Sequence, residues 1–334
     1  MAKKQAGFTK TKQQQKQQQV YSWNCPGFPG EAVLAVEAAL KALKLNYMEV
    51  ETITDGYSGE TRTPFSREEV EVDGKMVEIP VGTYSIEGLG RVQTEFRKMD
   101  SLPSVKLLCA LEKNGDIEFW NKLRQRTAEL VRSVNLFRGK AFQVREASHL
   151  LVPEYIKLDD DIPLVLNPET RRLLNVSVRS LLSKCDQLRH AGVSSKRGVI
   201  FEGPYGVGKT LAAYKLAREA VRYGWSFLLT EGNLFGLACS MAKRLGCPCV
   251  LCVEDIDATM SGGRDSLNSI LNSISGVQSK SDETQIIIVS TNFVDRVEPA
   301  FLRPERIDAI VEFRPLRLEG NKELLKLLAP EFTT

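Results

Sequence analysis

The sequence predicts an α/β fold, a parallel sheet with helices on both faces, placed after a smaller α+β unit and a polar tail. Three observations predict it. From Arg197 onward, apolar runs at residues 199–202, 226–230, 249–253, 286–290 and 310–313 recur with helix-length stretches between them. These runs are almost continuously apolar, as strands buried on both faces must be, and a parallel sheet buries both. The first run opens into a glycine-rich loop and a helix-period segment. The third and fourth runs end in polar residues, Glu254-Asp255 and Ser290-Thr291-Asn292. In open α/β sheets that end of the strands faces the ligand crevice.

Composition narrows the class. The chain has 334 residues, 43% hydrophobic and 26% charged, which suits two domains or slightly more, mostly globular. A net charge of +3 gives no ground for a nucleic-acid-binding class. No apolar run reaches the roughly 20 residues of a membrane-spanning helix, and the N-terminus lacks the apolar core of a secretory signal. Seven cysteines without framework spacing suit a reduced, cytoplasmic protein better than a disulfide scaffold.

Residues 1–24 read as a disordered tail. Glutamines fill positions 13–15 and 17–19, and Lys3, Lys4, Lys10, Lys12 and Lys16 stand without a single acid in residues 1–20. Residues 25–148 read as a small α+β recognition or packing domain. Helical spacing runs over 31–45 and strand alternation over 47–54. Asp73-Gly74 between Val70-Glu71-Val72 and Lys75-Met76-Val77 is a hairpin signal, and Asn114-Gly115 gives another between 105–111 and 117–120. A helix is expected over 121–134. Residues 149–168 form the connection, with Asp159-Asp160-Asp161 as a solvated turn. Asn167-Pro168 then starts a helix, with Asn as cap and Pro at the first position. Its apolar positions are Leu173, Val176, Leu181 and Leu188, and Gly192 lies past its end.

The loop Gly203-Pro204-Tyr205-Gly206-Val207-Gly208-Lys209-Thr210 fits the pattern of glycine, four residues, Gly-Lys, then Ser or Thr. Gly206 and Gly208 admit backbone conformations closed to other residues, so successive N–H groups can face one anion. The helix starting near Lys209 adds its positive end. Its apolar positions are Leu211, Tyr214, Leu216, Ala217 and Val221. Lys209 offers a point charge to β and γ phosphates and Thr210 a hydroxyl to Mg²⁺. Of the acids closing the run 250–253, one can hold the shell of a metal ion and the other polarise a water. Cys239, Cys247, Cys249 and Cys252 fit no common zinc spacing, and Cys249 and Cys252 point to opposite faces of a strand, as buried small hydrophobes do. His149 and His190 are isolated.

Lys196-Arg197-Gly198-Val199-Ile200-Phe201-Glu202-Gly203-Pro204 resembles the entry to the nucleotide site of AAA+ ATPases. The acidic strand end resembles Walker B, and Ser290-Thr291-Asn292 resembles the sensor that closes the fourth strand. Glu298-Pro299-Ala300-Phe301-Leu302-Arg303-Pro304-Glu305-Arg306-Ile307-Asp308 looks like the arginine-finger segment of the AAA clade. The resemblance covers roughly residues 158–313. It implies a P-loop NTPase sheet of AAA+ type in residues 149–334, with ATP and Mg²⁺ as cofactors and a homo-oligomeric ring, such as a hexamer, as the working form. By position, Gly203 through Thr210 bind the phosphates and Thr210 and Glu254 hold Mg²⁺. Asp255 activates water, Asn292 orients the water or reads the γ-phosphate, and Arg303 and Arg306 reach a neighbouring subunit's site.

Three departures carry expectations of their own. The family orders its acids Asp then Glu. Here Glu254 precedes Asp255, whose side chain is one methylene shorter, which implies slow hydrolysis or a repositioned water. The stretch 231–248 is short for the substrate-gripping pore loop. Leu234-Phe235-Gly236 is its candidate, though Phe235 suits the core equally, and Leu237, Met241 and Leu245 have the spacing of a buried helical face. After Phe313, residues 314–334 supply about one helix, over 324–328, so the helical lid is reduced or absent, or the chain incomplete. The leading expectation is an oligomeric, ATP-driven remodeller whose N-terminal domain selects a protein target. A nucleotide-gated switch with little turnover is the alternative. A nucleic-acid loader comes third, resting on the basic tail.

Overall fold

The computed structural model describes residues 19–50, 66–72, 75–99, 102–111, 117–147, 150–158, 163–191, 196–254, 256, 285–293 and 307–329. The turn residues Asp73-Gly74 and Asn114-Gly115, the acidic turn 159–161, and Asp255, His149, Gly192, Arg303 and Arg306 lie outside the described residues.

The first unit is an antiparallel sheet with two helices on one face. Strands β1 (Gln19–Cys25), β2 (Tyr47–Glu49), β5 (Thr83–Ile86), β6 (Gly90–Met99) and β7 (Leu102–Leu111) pair in the order β1-β7-β6-β5-β2. Helix α1 (Pro29–Ala42) buries Ala32, Val33, Val36, Ala39 and Leu40, a stripe with three- and four-residue steps. Strands β3 (Ser66–Val72) and β4 (Lys75–Val81) pair antiparallel, with Val72 opposite Lys75, the pairing that the Asp-Gly signal predicts.

Two expectations here are corrected. Residues 117–120 are the first turn of helix α2 (Ile117–Val131), not a strand. The run Ile-Glu-Phe-Trp fits either period. The next two turns decide it, because Trp120, Leu123, Thr127 and Val131 all bury on one helical face. Residues 19–24, placed in the tail, are strand. Tyr21, Trp23 and Cys25 alternate toward the core while β1 pairs with β7. The adjoining glutamine tract hid that alternation.

The second sheet has seven strands in the order β14-β10-β13-β12-β11-β8-β9. Strands β10 (Lys196–Glu202), β11 (Ser226–Glu231), β12 (Cys249–Glu254), β13 (Gln285–Thr291) and β14 (Ala309–Glu312) are the five expected runs, and neighbours among them are parallel. Two strands arrive from earlier in the chain. β8 (Ala141–Ala147) joins β11 in parallel, and β9 (Leu150–Tyr155) folds back on β8 antiparallel. The expected boundary at 148 thus falls inside a hairpin. β8 sits near the sheet edge and alternates polar with apolar residues, so it lacks the continuous apolar signal of its neighbours.

Helix α5 (Lys209–Arg222) covers one face of this sheet and α6 (Phe235–Leu245) the other. Cys249, Leu251 and Val253 pack on the α6 side, and Val250 and Cys252 on the α5 side. Helices α3 (Pro168–Leu174) and α4 (Ser180–His190) join through a π turn at Asn175–Arg179. The buried stripe continues through that turn in three- and four-residue steps. Leu174, Val178, Leu181, Leu182 and Cys185 are buried, whereas the expected Leu173 and Val176 are 38% and 68% exposed. Asn167 occupies the N-cap position before Pro168, and its carbonyl accepts from Arg171 N at 2.9 Å, but its side chain makes no capping bond. Its Nδ2 donates to Arg314 O and Pro315 O at 3.3 and 3.1 Å, and its Oδ1 accepts from Arg317 N at 3.1 Å. Helix α7 (Leu318–Leu328) buries no residue.

A short joint connects the two units. Phe28, between β1 and α1, belongs to the core beneath α6. Its ring centroid is 4.7 Å from that of Phe137, and the Arg244 guanidinium lies 5.9 Å from it. The buried Glu31 carboxylate accepts from Leu136 N at 3.2 Å. Burial raises the Glu31 pKa above its ordinary 4.5, and backbone N–H donors oppose the shift only in part. Folding therefore binds a proton more tightly here. The stabilising contribution is full below the unfolded pKa and is lost as pH rises through the folded value. Relative to Glu31→Gln, the wild-type chain should lose stability between pH 4.5 and neutrality, as read by denaturant midpoints across that range.

Candidate nucleotide-binding site

The site is assembled at the carboxyl ends of β10, β13 and β12, three adjacent strands of the large sheet. Gly203 follows β10 with φ +152°. A Cβ on it would lie 2.1 Å from Phe313 O. The loop therefore leaves the sheet through a gap that only glycine fits. Gly203 N donates to Thr291 O at 3.3 Å and Phe313 N to Glu202 O at 2.6 Å, which ties that exit to both neighbouring strands. Gly208, with φ +96°, is the left-handed residue that turns the chain into α5.

Lys209 is the first residue of α5 and is 8% exposed. Its ammonium donates to Gly203 O at 2.6 Å, Pro204 O at 3.0 Å and Asn292 Oδ1 at 2.7 Å. Asn292 follows β13 and is also 8% exposed. The structure thus joins two of the expected site residues directly. Tyr205 stands at the loop tip, 72% exposed, with its ring 5.9 Å from the ammonium. Val207 packs on the core, and the Thr210 hydroxyl group is on an exposed residue in the first turn of α5.

Glu254 is the half-buried last residue of β12. In the β11–β12 register it stands beside Glu231, which closes β11 as Glu254 closes β12. Sequence reasoning passed over Glu231, although an acid directly after the apolar run 226–230 is the same signal that marks Glu254. Strand alternation puts Glu254 on the α5 side of the sheet with Val250 and Cys252, and the phenol of Tyr214 on α5 has its pKa raised, first by burial and next by the Glu254 charge. The set fits the expected group: a buried cation and a helix N-terminus for phosphates, and the oxygen donors Thr210 and Glu254 for Mg²⁺.

Two secondary expectations are settled by burial. Phe235 is fully buried in the core beneath α6, so it is a packing residue and not a pore-loop aromatic. Met241 and Leu245 bury on the same helix face as expected, with Leu237 partly buried. Cys249 and Cys252 lie on opposite faces of β12, and desolvation raises both thiols well above their ordinary range. Among the described residues no group of three or more His, Cys, Asp or Glu side chains is placed to hold a metal ion. Among them, too, no helix is long and apolar enough to cross a membrane.

Comparison with known proteins agrees with this geometry. The family model "ATPase family associated with various cellular activities (AAA)" matches residues 199–315. An ATP-dependent zinc metalloprotease FtsH of Alkalihalophilus pseudofirmus is 32% identical over 160 residues, covering 41% of this chain and 23% of that protein. The probable inactive ATP-dependent zinc metalloprotease FTSHI 2, chloroplastic, of Arabidopsis thaliana is 29% identical over 217 residues, covering 58% of this chain and 24% of that protein. The ATPase family gene 2 protein of Schizosaccharomyces pombe is 27% identical over 178 residues, covering 48% and 21%. The chain spans about a quarter of the length of these curated relatives. The strand–loop–helix geometry around Lys209 and these matches lead to one conclusion: the chain carries an AAA+ ATPase domain built on a P-loop NTPase fold.

Proposed function

We propose that this chain binds ATP with Mg²⁺ at the loop from Gly203 to Thr210 and hydrolyses it as an oligomer, working on a protein target selected by the N-terminal unit. The observation that carries the reading is the buried Lys209 ammonium, held at the mouth of a glycine loop and in contact with Asn292. A desolvated cation at a helix N-terminus stabilises phosphate far more than an exposed one does. Lys209 binds the phosphate chain, and the oxygens of Thr210 and Glu254 hold the metal. Mg²⁺, when bound, neutralises charge on the phosphoryl oxygens. Asp255 polarises the water and Asn292 orients it. Arg303 and Arg306 serve a neighbouring subunit's site, where such groups stabilise charge on the transferring phosphoryl group. Two of the relatives are named as ATP-dependent zinc metalloproteases, one of them as probable inactive, and those names support a protein target.

A concentration series of ATP turnover by the purified chain tests this. The rate per subunit should rise with concentration. Arg303→Ala and Arg306→Ala should each lower it by about three orders of magnitude, with ATP affinity unchanged by calorimetry. A rate independent of concentration and of both arginines removes the shared-site reading.

A nucleotide-gated switch is favoured by one specific observation. Phe235, the aromatic candidate for gripping a substrate, is in the core. Tight ATP binding with no turnover at any concentration in the same experiment decides for the switch.

A further inference from the structure

The Lys209 ammonium has three N–H donors, and three oxygens accept from it: Gly203 O, Pro204 O and Asn292 Oδ1, at 2.6, 3.0 and 2.7 Å. Lysine and asparagine are both nearly excluded from solvent, so water is a poor replacement for a lost partner. A phosphate oxygen approaching this ammonium meets a donor that is already engaged. One of the three acceptors has to give way.

The three are not equal. Gly203 O and Pro204 O belong to the backbone of the loop that wraps the phosphate, and Gly203 is wedged against Phe313 O. Displacing either carbonyl deforms the loop. Asn292 Oδ1 is a side-chain atom just beyond β13, whose pairing with β10 ends at Glu202 and Thr291. Side-chain rotation takes it off the ammonium without breaking the β10–β13 pairing.

We propose that Asn292 competes with the nucleotide's phosphate chain for Lys209, so that its amide lowers nucleotide affinity and is freed for the γ-phosphate side only after a phosphate has taken the lysine. The proposal rests on nucleotide binding by this loop and reverses the sign of what a pure γ-phosphate reader does. Losing a reader weakens ATP and leaves ADP unchanged. Losing a competitor tightens ADP, which has no γ-phosphate to be read. Asn292 is then a positioning residue that acts through Lys209.

The test is calorimetric binding of Mg-ADP to the full chain in four forms: wild type, Asn292→Ala, Lys209→Ala and the double variant. Asn292→Ala should bind ADP about tenfold more tightly, the scale of one hydrogen bond to a charged group. In the Lys209→Ala background the same substitution should change affinity less than about twofold, because the competition acts through the lysine. A merely structural role does not produce that dependence. Should Asn292→Ala melt early, Asn292→Ser, too short to hold the ammonium, takes its place with the same expected result. Unchanged or weaker ADP binding in a folded variant overturns the competition, as does equal tightening with and without Lys209. A wild-type chain that binds neither ADP nor ATP overturns the nucleotide site itself, a distinguishable failure.

Discussion

Gly203→Ala is expected to cost the ATPase domain about 3 kcal/mol or more, by two routes that act together. The added Cβ would lie 2.1 Å from Phe313 O and 3.0 Å from Phe313 C, and these are backbone atoms. No rotamer change relieves the clash. Either the segment after β14 shifts or the exit from β10 does, and both are held by the short bond from Phe313 N to Glu202 O. The second route is conformational, since φ +152° is strained for any residue with a side chain. Denaturant unfolding gives the stability, and nucleotide titration under conditions where the variant is still folded gives the affinity. Both should fall, because the same backbone supplies Gly203 O to Lys209. Wild-type stability in Gly203→Ala would mean that the loop leaves the sheet by another path.

Lys209→Ala should lower ATP turnover by about two to three orders of magnitude, the effect of removing one preorganised donor from developing charge. The substitution also changes the free protein. Gly203 O, Pro204 O and Asn292 Oδ1 lose a common donor; Gly203 and Asn292 are buried, whereas Pro204 is exposed. Unpaired buried acceptors cost about 1–3 kcal/mol each unless water enters. The space left by the lysine side chain admits water, so the melting temperature should fall only modestly while turnover falls severely. Thermal melts and steady-state turnover on the same preparation separate the two effects. Turnover within threefold of wild type would remove Lys209 from the chemistry.

What was legible in the sequence was local. The loop from Gly203 to Thr210 could be read because its backbone geometry admits few residue types at fixed positions. Strands β10 to β13 could be read because burial on both faces forces continuous apolar runs, whereas β14 lies at the sheet edge and is only partly buried. Glu254 and Asn292 could be read because a polar residue ending such a run is conspicuous. The rest depended on contacts distant in sequence. Asn167-Pro168 has the pattern of a helix cap, yet the Asn167 amide is used by Arg314, Pro315 and Arg317. Strand β8 looks like an ordinary half-polar segment until β11 forms beside it. Along α3, the π turn and α4 the buried stripe runs through Leu174, Val178, Leu181 and Cys185 in three- and four-residue steps, one position off the stripe expected from Leu173, which tertiary contacts alone decide. No pattern of short-range spacing carried these outcomes.

The position of Phe28 has a consequence for how the chain can be divided. This ring comes from the loop between the first strand and the first helix, yet it fills the hydrophobic interior beneath α6 with Phe142, Ala238, Met241 and Leu245. The hairpin β8–β9 likewise straddles residue 148. A fragment starting at residue 149 would lack both a strand of its own sheet and a stopper of its own core, and one ending at 148 would carry an orphaned strand and a bare phenylalanine. The two units are therefore folding partners, and an ATPase domain carried without this N-terminal unit would need another side chain to plug its interior.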